Sequence, residues 1–327
     1  MFLVVFQHVA TFCWQINGKG ISIHDYMMQI RMPMFFFISG FVLYKSSVVW
    51  NWKQVTSFFR KKIPVQLISP FIFFSLFVYL NQFGLSDSIA KHYKHGYWFT
   101  LVLFEYYCFY AIIRFCIRSK WSLLPLLCLG IVLYLVNMPL IYDNIPFSAQ
   151  VKGILSVKHW KYFLFFVLGT TAKQYFHPLE KLLDGKWFLP LCISIYLLGN
   201  GYRRIIPING TLFSLILTLS GLVVLFSFFR VNQKSLSKET IAGRTLQYVG
   251  HHTLDIYLIH FFLIPHQLSR VTIFLDHPMP IIEAAVSLII ASIIIAGSLL
   301  IGNIIRLSPV LAHWVFGAKY PKKNSNS

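Results

Sequence analysis

An all-α, polytopic membrane protein with about ten transmembrane helices is the fold class that this sequence predicts. Three observations carry the prediction. The chain is 57% hydrophobic and only 12% charged. Apolar runs recur from end to end, and a helix that crosses a bilayer needs roughly 20 such residues. The 29 Lys and Arg gather in the links between those runs, as they do in cytoplasmic loops. A net charge of +19 invites a nucleic-acid reading. Basic loops already account for that charge, so no nucleic-acid partner is expected.

The runs lie near 1–14, 31–49, 63–83, 97–113, 121–136, 160–176, 187–200, 208–229, 246–268 and 281–305. They read as one membrane-embedded domain over 1–310, followed by a basic tail over 311–327. With a cytoplasmic N-terminus, the inner segments are 45–62, 114–120, 173–186, 230–244 and the chain after 305. These hold most of the Lys and Arg, which places both termini in the cytoplasm and the protein in the cell membrane. The first run is short. As a helix it covers about 21 Å, against a hydrocarbon core of roughly 30 Å. The expectation is a truncated first helix, with natural residues preceding Met1. Cys13, Cys108, Cys116, Cys128 and Cys192 lie in or beside apolar runs, without a CxxC pair. Neither a disulfide nor a metal site is expected from them.

The chain is organised around His8 to Tyr44. The segment FLVVFQHVATFCW puts one imidazole, His8, among apolar residues. A titratable group at membrane depth is a functional candidate, although an interhelical hydrogen bond is the plainer reading. The next run, RMPMFFFISGFVLY, has Pro33 where a first helical turn tolerates it. It carries Ser39 and Gly40 in its middle, small enough to let another backbone approach.

His8 followed by MPMFFFISGF resembles the opening of the acyltransferase-3 family of integral membrane proteins. Members of that family move acyl groups, usually acetyl, from cytoplasmic acyl-CoA onto sugars or other acceptors of the cell envelope. The resemblance implies O-acetylation, such as polysaccharide modification. Acyl-CoA would be a donor substrate rather than a bound cofactor. The partners would be the lipid bilayer and a carbohydrate or lipid-linked sugar. It makes His8 the catalytic histidine, and an imidazole is a competent base near neutral pH. The family's basic residue eleven positions earlier would fall before Met1.

Arg60, Lys61 and Lys62, in SFFRKKIPVQLISP, match the family's basic cluster and are implied to hold the acyl-CoA phosphates. Plain positive-inside topology accounts for the same charges. The family has a further arginine one turn later, where this chain has Gln66. The fourth run opens with WF, as the family's does, and carries Glu105 near its middle. A buried carboxyl needs a partner, and Glu105 is a candidate to pair with a histidine or to hold an acceptor hydroxyl. Trp98 suits a membrane interface or a sugar-stacking surface. YVGHHTLDIYLIHFF resembles a late family segment through Thr253, Tyr257 and His260. Tyr257 and His260 are spaced to share a helix face, as lining of the acceptor path or as interhelical packing. WKYFLFFVLG and LSPVLAHWVFG extend the resemblance over most of the chain.

His92 and His95, beside Lys91 and Lys94, read as a solvated loop rather than a metal site. Two rivals stand beside the transferase. One is a transporter or flippase of an envelope glycan or lipid intermediate, which paired broken helices would favour. The other is an inactive truncated relative. Direct transfer and an acyl-enzyme intermediate are both open.

Overall fold

The computed structural model describes residues 1–16, 23–205 and 210–318, and all regular structure among them is helical. Five helices are long and apolar enough to cross a membrane: Tyr26–Leu43, Trp52–Leu80, Trp98–Cys116, Thr211–Val231 and Pro280–Arg306. A bent pair, Phe176–Leu183 and Phe188–Tyr202, meets at 76° and makes a sixth if counted as one broken span. The protein is an all-α, multi-pass membrane protein. Four further runs fall on shorter helices: Phe2–Phe12, Leu123–Val136, Phe163–Gln174 and Thr253–Leu263.

Helix boundaries depart from the sequence reading in four places. The segment before Ile63 is helical from Trp52, so Arg60, Lys61 and Lys62 lie on a helix rather than in a loop. Asn51 starts it by accepting a hydrogen bond from the Gln54 backbone N–H at 2.9 Å, an N-cap. The helix continues through a π-helical stretch, Pro64–Ile68, into Ser69–Leu80. Pro33 sits inside the helix His24–Leu43, because that helix starts well before Arg31. Proline is tolerated there when neighbouring groups satisfy the freed carbonyl. The run at 246–268 is broken at His252, where ψ is 19°, into Ile241–His251 and Thr253–Leu263. Lastly, Pro309–Phe316 is a helix, whose start Ser308 caps. The basic residues from 319 onward lie outside the described residues.

The described residues form two compact units. One holds Met1–Lys45, Leu168–Thr253 and Leu263–Ala296. In its core a close backbone approach is made by a small residue of the helix neighbouring the one that carries Ser39 and Gly40. Gly169 lies against the helix carrying Phe37 and Phe41. A Cβ on it would stand 2.0 Å from the Phe37 carbonyl oxygen and 2.9 Å from the Phe41 nitrogen. The two backbones therefore touch at Phe37 and Phe41, as small residues permit in membranes. Around this contact Phe37, Phe41 and Phe226 pack edge to face.

The other unit holds Ser46–Val167, Leu254–Phe262 and the residues from Gly297. Its core is aromatic. Tyr106, Tyr107 and Tyr110 pack around Phe166, with Tyr106 also against Phe163. Asp255, almost fully buried, receives two hydrogen bonds from Arg306, at 2.9 and 2.8 Å. That bidentate pair neutralises a carboxylate that the apolar surroundings would otherwise exclude.

Candidate functional site

His8 belongs to the first unit. Its helix, Phe2–Phe12, is apolar on nearly every side, and Val5 and Val9 at i,i+4 spacing are fully buried. The half-buried His8 ring meets Phe12 edge-on at 5.6 Å, and Phe12 meets His266 in the same way at 5.6 Å. The end of this helix is tied down at two points. Trp14 Nε1 donates to Ser287 Oγ at 2.9 Å, and Ser287 donates to Glu283 Oε1 at 2.7 Å. Gln15 Nε2 donates to the Ser269 carbonyl. Trp14 is therefore a buried anchor, and Glu283, which the sequence reading passed over, is the carboxyl at the end of its relay. Ser39 donates its hydroxyl to the Phe35 carbonyl of its own helix at 2.8 Å.

The other candidates belong to the second unit. Arg60 and Lys61 are exposed, while Lys62 turns inward. Its ammonium lies 4.9 Å from the centre of the Tyr107 ring and 5.8 Å from that of Phe58. The basic triad thus presents two exposed cations and one held on aromatic faces.

Beyond the π-helical stretch opens a cavity of about 510 Å³, lined mainly by apolar side chains of Leu67–Phe74 and Leu101. Its polar lining is Gln66, Lys94, Tyr97, Thr100 and Glu105. The Trp160 indole N–H donates to Glu105 Oε2 at 2.8 Å. Glu105 Oε1 accepts no hydrogen bond among the described residues, and Gln66 Oε1 is buried without a donor. Residues 55 positions apart make the Glu105–Trp160 contact, so no local pattern announces it.

Lys94 corrects the solvated-loop expectation. It is 7% exposed, and its ammonium donates to Gly153 O and Ser156 Oγ, both at 2.7 Å, and to Lys91 O at 3.4 Å. Lys94, His95 and Ser156 all have positive φ, a conformation that only surrounding contacts sustain. Gly153 permits the approach, since a Cβ there would stand 1.6 Å from the Ala90 carbonyl oxygen. Burial pushes the Lys94 pKa down to about 8, and the Glu105 carboxyl opposes the shift. Lys94→Met would strand two buried acceptors, at about 1–3 kcal/mol each. The thermal midpoint of the solubilised protein should fall by several degrees. An unchanged midpoint would make the clamp incidental.

His92 and His95 are engaged separately, His92 with the Tyr142 hydroxyl at 2.9 Å and His95 with Ser88 at 3.1 Å. One face of Trp98 is covered by the His159 ring, with centroids 3.7 Å apart and planes 15° from parallel. Burial, with Lys161 nearby, keeps the His159 imidazole well below its ordinary range and so neutral.

Tyr257 and His260 do share a face, with ring centroids 6.3 Å apart. Tyr257 donates to the Gly96 carbonyl at 3.1 Å, and Tyr97 donates back to the Leu258 carbonyl at 2.9 Å. The helix Thr253–Leu263 is thus docked on the turn that begins the Glu105 helix. Gly96 has φ of +101°, and Phe261 lies where a side chain would go. His260 is fully buried, with Nδ1 2.8 Å from the Ile256 carbonyl of its own helix.

Neither the curated proteins nor the solved structures provide a match to this chain. A family model described as an acyltransferase domain matches residues 1–302. That match covers the His8 helix, the basic triad, the Glu105 cavity and the Tyr257–His260 helix in their order along the sequence. The chain belongs to the acyltransferase 3 family of membrane acyltransferases.

Proposed function

We propose that this protein moves an acyl group, acetyl in the first instance, from acyl-CoA to a hydroxyl of an envelope glycan or related acceptor. The observation that carries the reading is His8, a half-buried imidazole on an otherwise apolar helix, standing before MPMFFFISGF in an order that resembles the family's opening. His8 takes the proton of the acceptor hydroxyl, and the oxygen attacks the thioester carbonyl. The new C–O bond forms as the C–S bond breaks, and the proton passes to the departing thiolate sulfur. Arg60 and Lys61, with Lys62 behind them, hold the phosphates of the donor. Glu105 is the candidate to hold the acceptor hydroxyl; Ser39 and Gly40 of the first unit, and Tyr257 and His260 of the second, are the further lining candidates.

The working arrangement is ten crossings of the cell membrane in one domain over 1–310, with a cytoplasmic basic tail over 311–327 and both termini in the cytoplasm. The four short helices are completed by flanking residues, as thinned or tilted crossings allow. Reporter fusions after Lys62 and after Lys323 should both report the cytoplasm, and a signal from the far side at either point removes this topology.

Transfer itself is tested by supplying labelled acetyl-CoA to membranes that contain the protein, with a panel of hydroxyl acceptors. Label in an alkali-labile ester supports the reading, and accumulation of an unmodified glycan on the far side supports a flippase instead. One bent helix pair is seen among the described residues, whereas the flippase reading calls for matched pairs. For the donor site, neutralising Arg60 and Lys61 should raise the donor KM and leave the acceptor KM nearly unchanged. Exposed contacts of this kind are worth about 0.2–1 kcal/mol each, so the expected rise is several-fold. An unchanged donor KM in an inserted variant would leave these residues a topological role alone.

A further inference from the structure

We infer that an anionic phospholipid binds beside the bent helix pair of the first unit, with one acyl chain in a cavity there and its phosphate against Lys173. The inference does not rest on the transfer reaction. The helix Phe176–Leu183 carries Phe176, Leu179, Leu182 and Leu183 on one face and His177, Glu180 and Lys181 on the other. A short amphipathic helix that bends through 76° into the next one suits the bilayer interface better than its core. Trp187 stands at the bend, 84% exposed, an aromatic of the kind that marks that level. Leu179, Leu182 and Leu183, with Leu168, Leu219 and Phe226, line a cavity of about 400 Å³. That volume is within the range of ligand pockets. Leu182 and Tyr175 in its wall are 51% and 47% exposed, so the cavity opens beside the interfacial helix.

The charges around this helix call for an anion. The Lys173 ammonium lies 4.9 Å from the centre of the Phe41 ring and 5.9 Å from that of Phe176. Phe41 packs on Phe226 of the cavity wall, with centroids 5.8 Å apart, so the two rings hold the ammonium beside the cavity. Arg230 takes up both nearby carboxylates, Glu180 at 3.5 Å and Asp184. Lys173, Lys181 and Lys186 remain exposed and make no ion pair among the described residues. A phosphate joined closely to an acyl chain answers both the lysines and the apolar wall. A zwitterionic lipid brings its own cation to the same place. Acyl-CoA also joins phosphates to a chain, but through a long amide arm. The lining offers that arm the hydroxyls of Thr171 and Tyr175 amid leucine and phenylalanine, a costly place for amides.

The test uses the full chain in phosphatidylcholine nanodiscs, with a phosphatidylglycerol that bears a diazirine on one acyl chain as the probe. Photolysis should label peptides within 168–183 or 211–231. Excess unlabelled phosphatidylglycerol should suppress the label. Phosphatidylcholine of the same chains, long-chain acyl-CoA and inorganic phosphate should not. Lys173→Gln should cut the label about five-fold, the effect expected of one basic residue at an anionic lipid surface. The competition arms decide on the wild-type protein should that variant fail to fold. Equal labelling by a diazirine phosphatidylcholine, or an undiminished label in a folded Lys173→Gln protein, overturns the inference. Suppression by acyl-CoA would give the cavity to the donor, and suppression by inorganic phosphate would leave a simple anion site. Either overturns it, as does a label confined to other parts of the chain.

Discussion

His8→Ala should lower the acyl-transfer rate by at least about two orders of magnitude, since general-base catalysis typically supplies 10²–10⁴-fold. The variant should insert at normal levels. The helix is anchored through Trp14 and Gln15, and its buried stripe is Val5 and Val9. The helix ends at Phe12, four residues beyond His8, so the ring sits roughly 6 Å below that end by helix rise. His8→Gln separates catalysis from packing. The amide keeps a hydrogen-bonding group of similar size but cannot take a proton at neutral pH. It should be as slow as alanine in kcat, with membrane levels and thermal midpoint matching the wild type. A fully active glutamine variant would reduce His8 to a packing residue, and the base would have to be sought among the other imidazoles.

Gly169→Leu should abolish recovery of a monodisperse protein, and Gly169→Ala should already lower the thermal midpoint sharply. The obstacle to a Cβ is backbone on both counts, the Phe37 oxygen at 2.0 Å and the Phe41 nitrogen at 2.9 Å. Neither can rotate away as a side chain could, so the two helices must part. Overpacking commonly costs about 1–3 kcal/mol and sometimes more, which is a large share of a total stability of roughly 5–15 kcal/mol. Gly201→Ala is the control, because a Cβ there meets nothing within 4 Å. Size-exclusion profiles and thermal midpoints of the three variants decide the matter. A normal profile for Gly169→Leu would mean that the helices tolerate separation.

The membrane helices were legible because hydrophobic runs of bilayer length are hard to produce any other way. Their ends were less so. Trp52, Val55, Phe58 and Phe59 recur at helical spacing, but three cations follow them, and a cytoplasmic loop accounts for cations equally well. Pro33 suggested a helix start, yet within a bilayer proline does not have to mark an end. Glu105 could be singled out, because a carboxyl in an apolar run must be satisfied somehow. Trp160, its actual partner, could not be, since the two meet only through tertiary folding. Lys94 was misread for a related reason. Its neighbours are polar, and what buries it is a turn some sixty residues further on. A lysine that clamps carbonyls has the same local sequence as one that faces water.

The π-helical stretch at Pro64–Ile68 has a consequence for how this region tolerates insertion and deletion. One extra residue in a turn offsets everything on one side by about 100° of azimuth relative to an uninterrupted α-helix. Removing a single residue there would let the ladder close as ordinary α-helix, with few backbone bonds lost. It would also swing Arg60, Lys61 and Lys62 around the helix axis relative to the wall of the Glu105 cavity. A one-residue deletion, normally among the most damaging changes in a helix, would here act as a rotary adjustment of charge against pocket. Length polymorphism confined to this stretch is therefore a route by which related chains can re-aim their basic face without redesigning either helix.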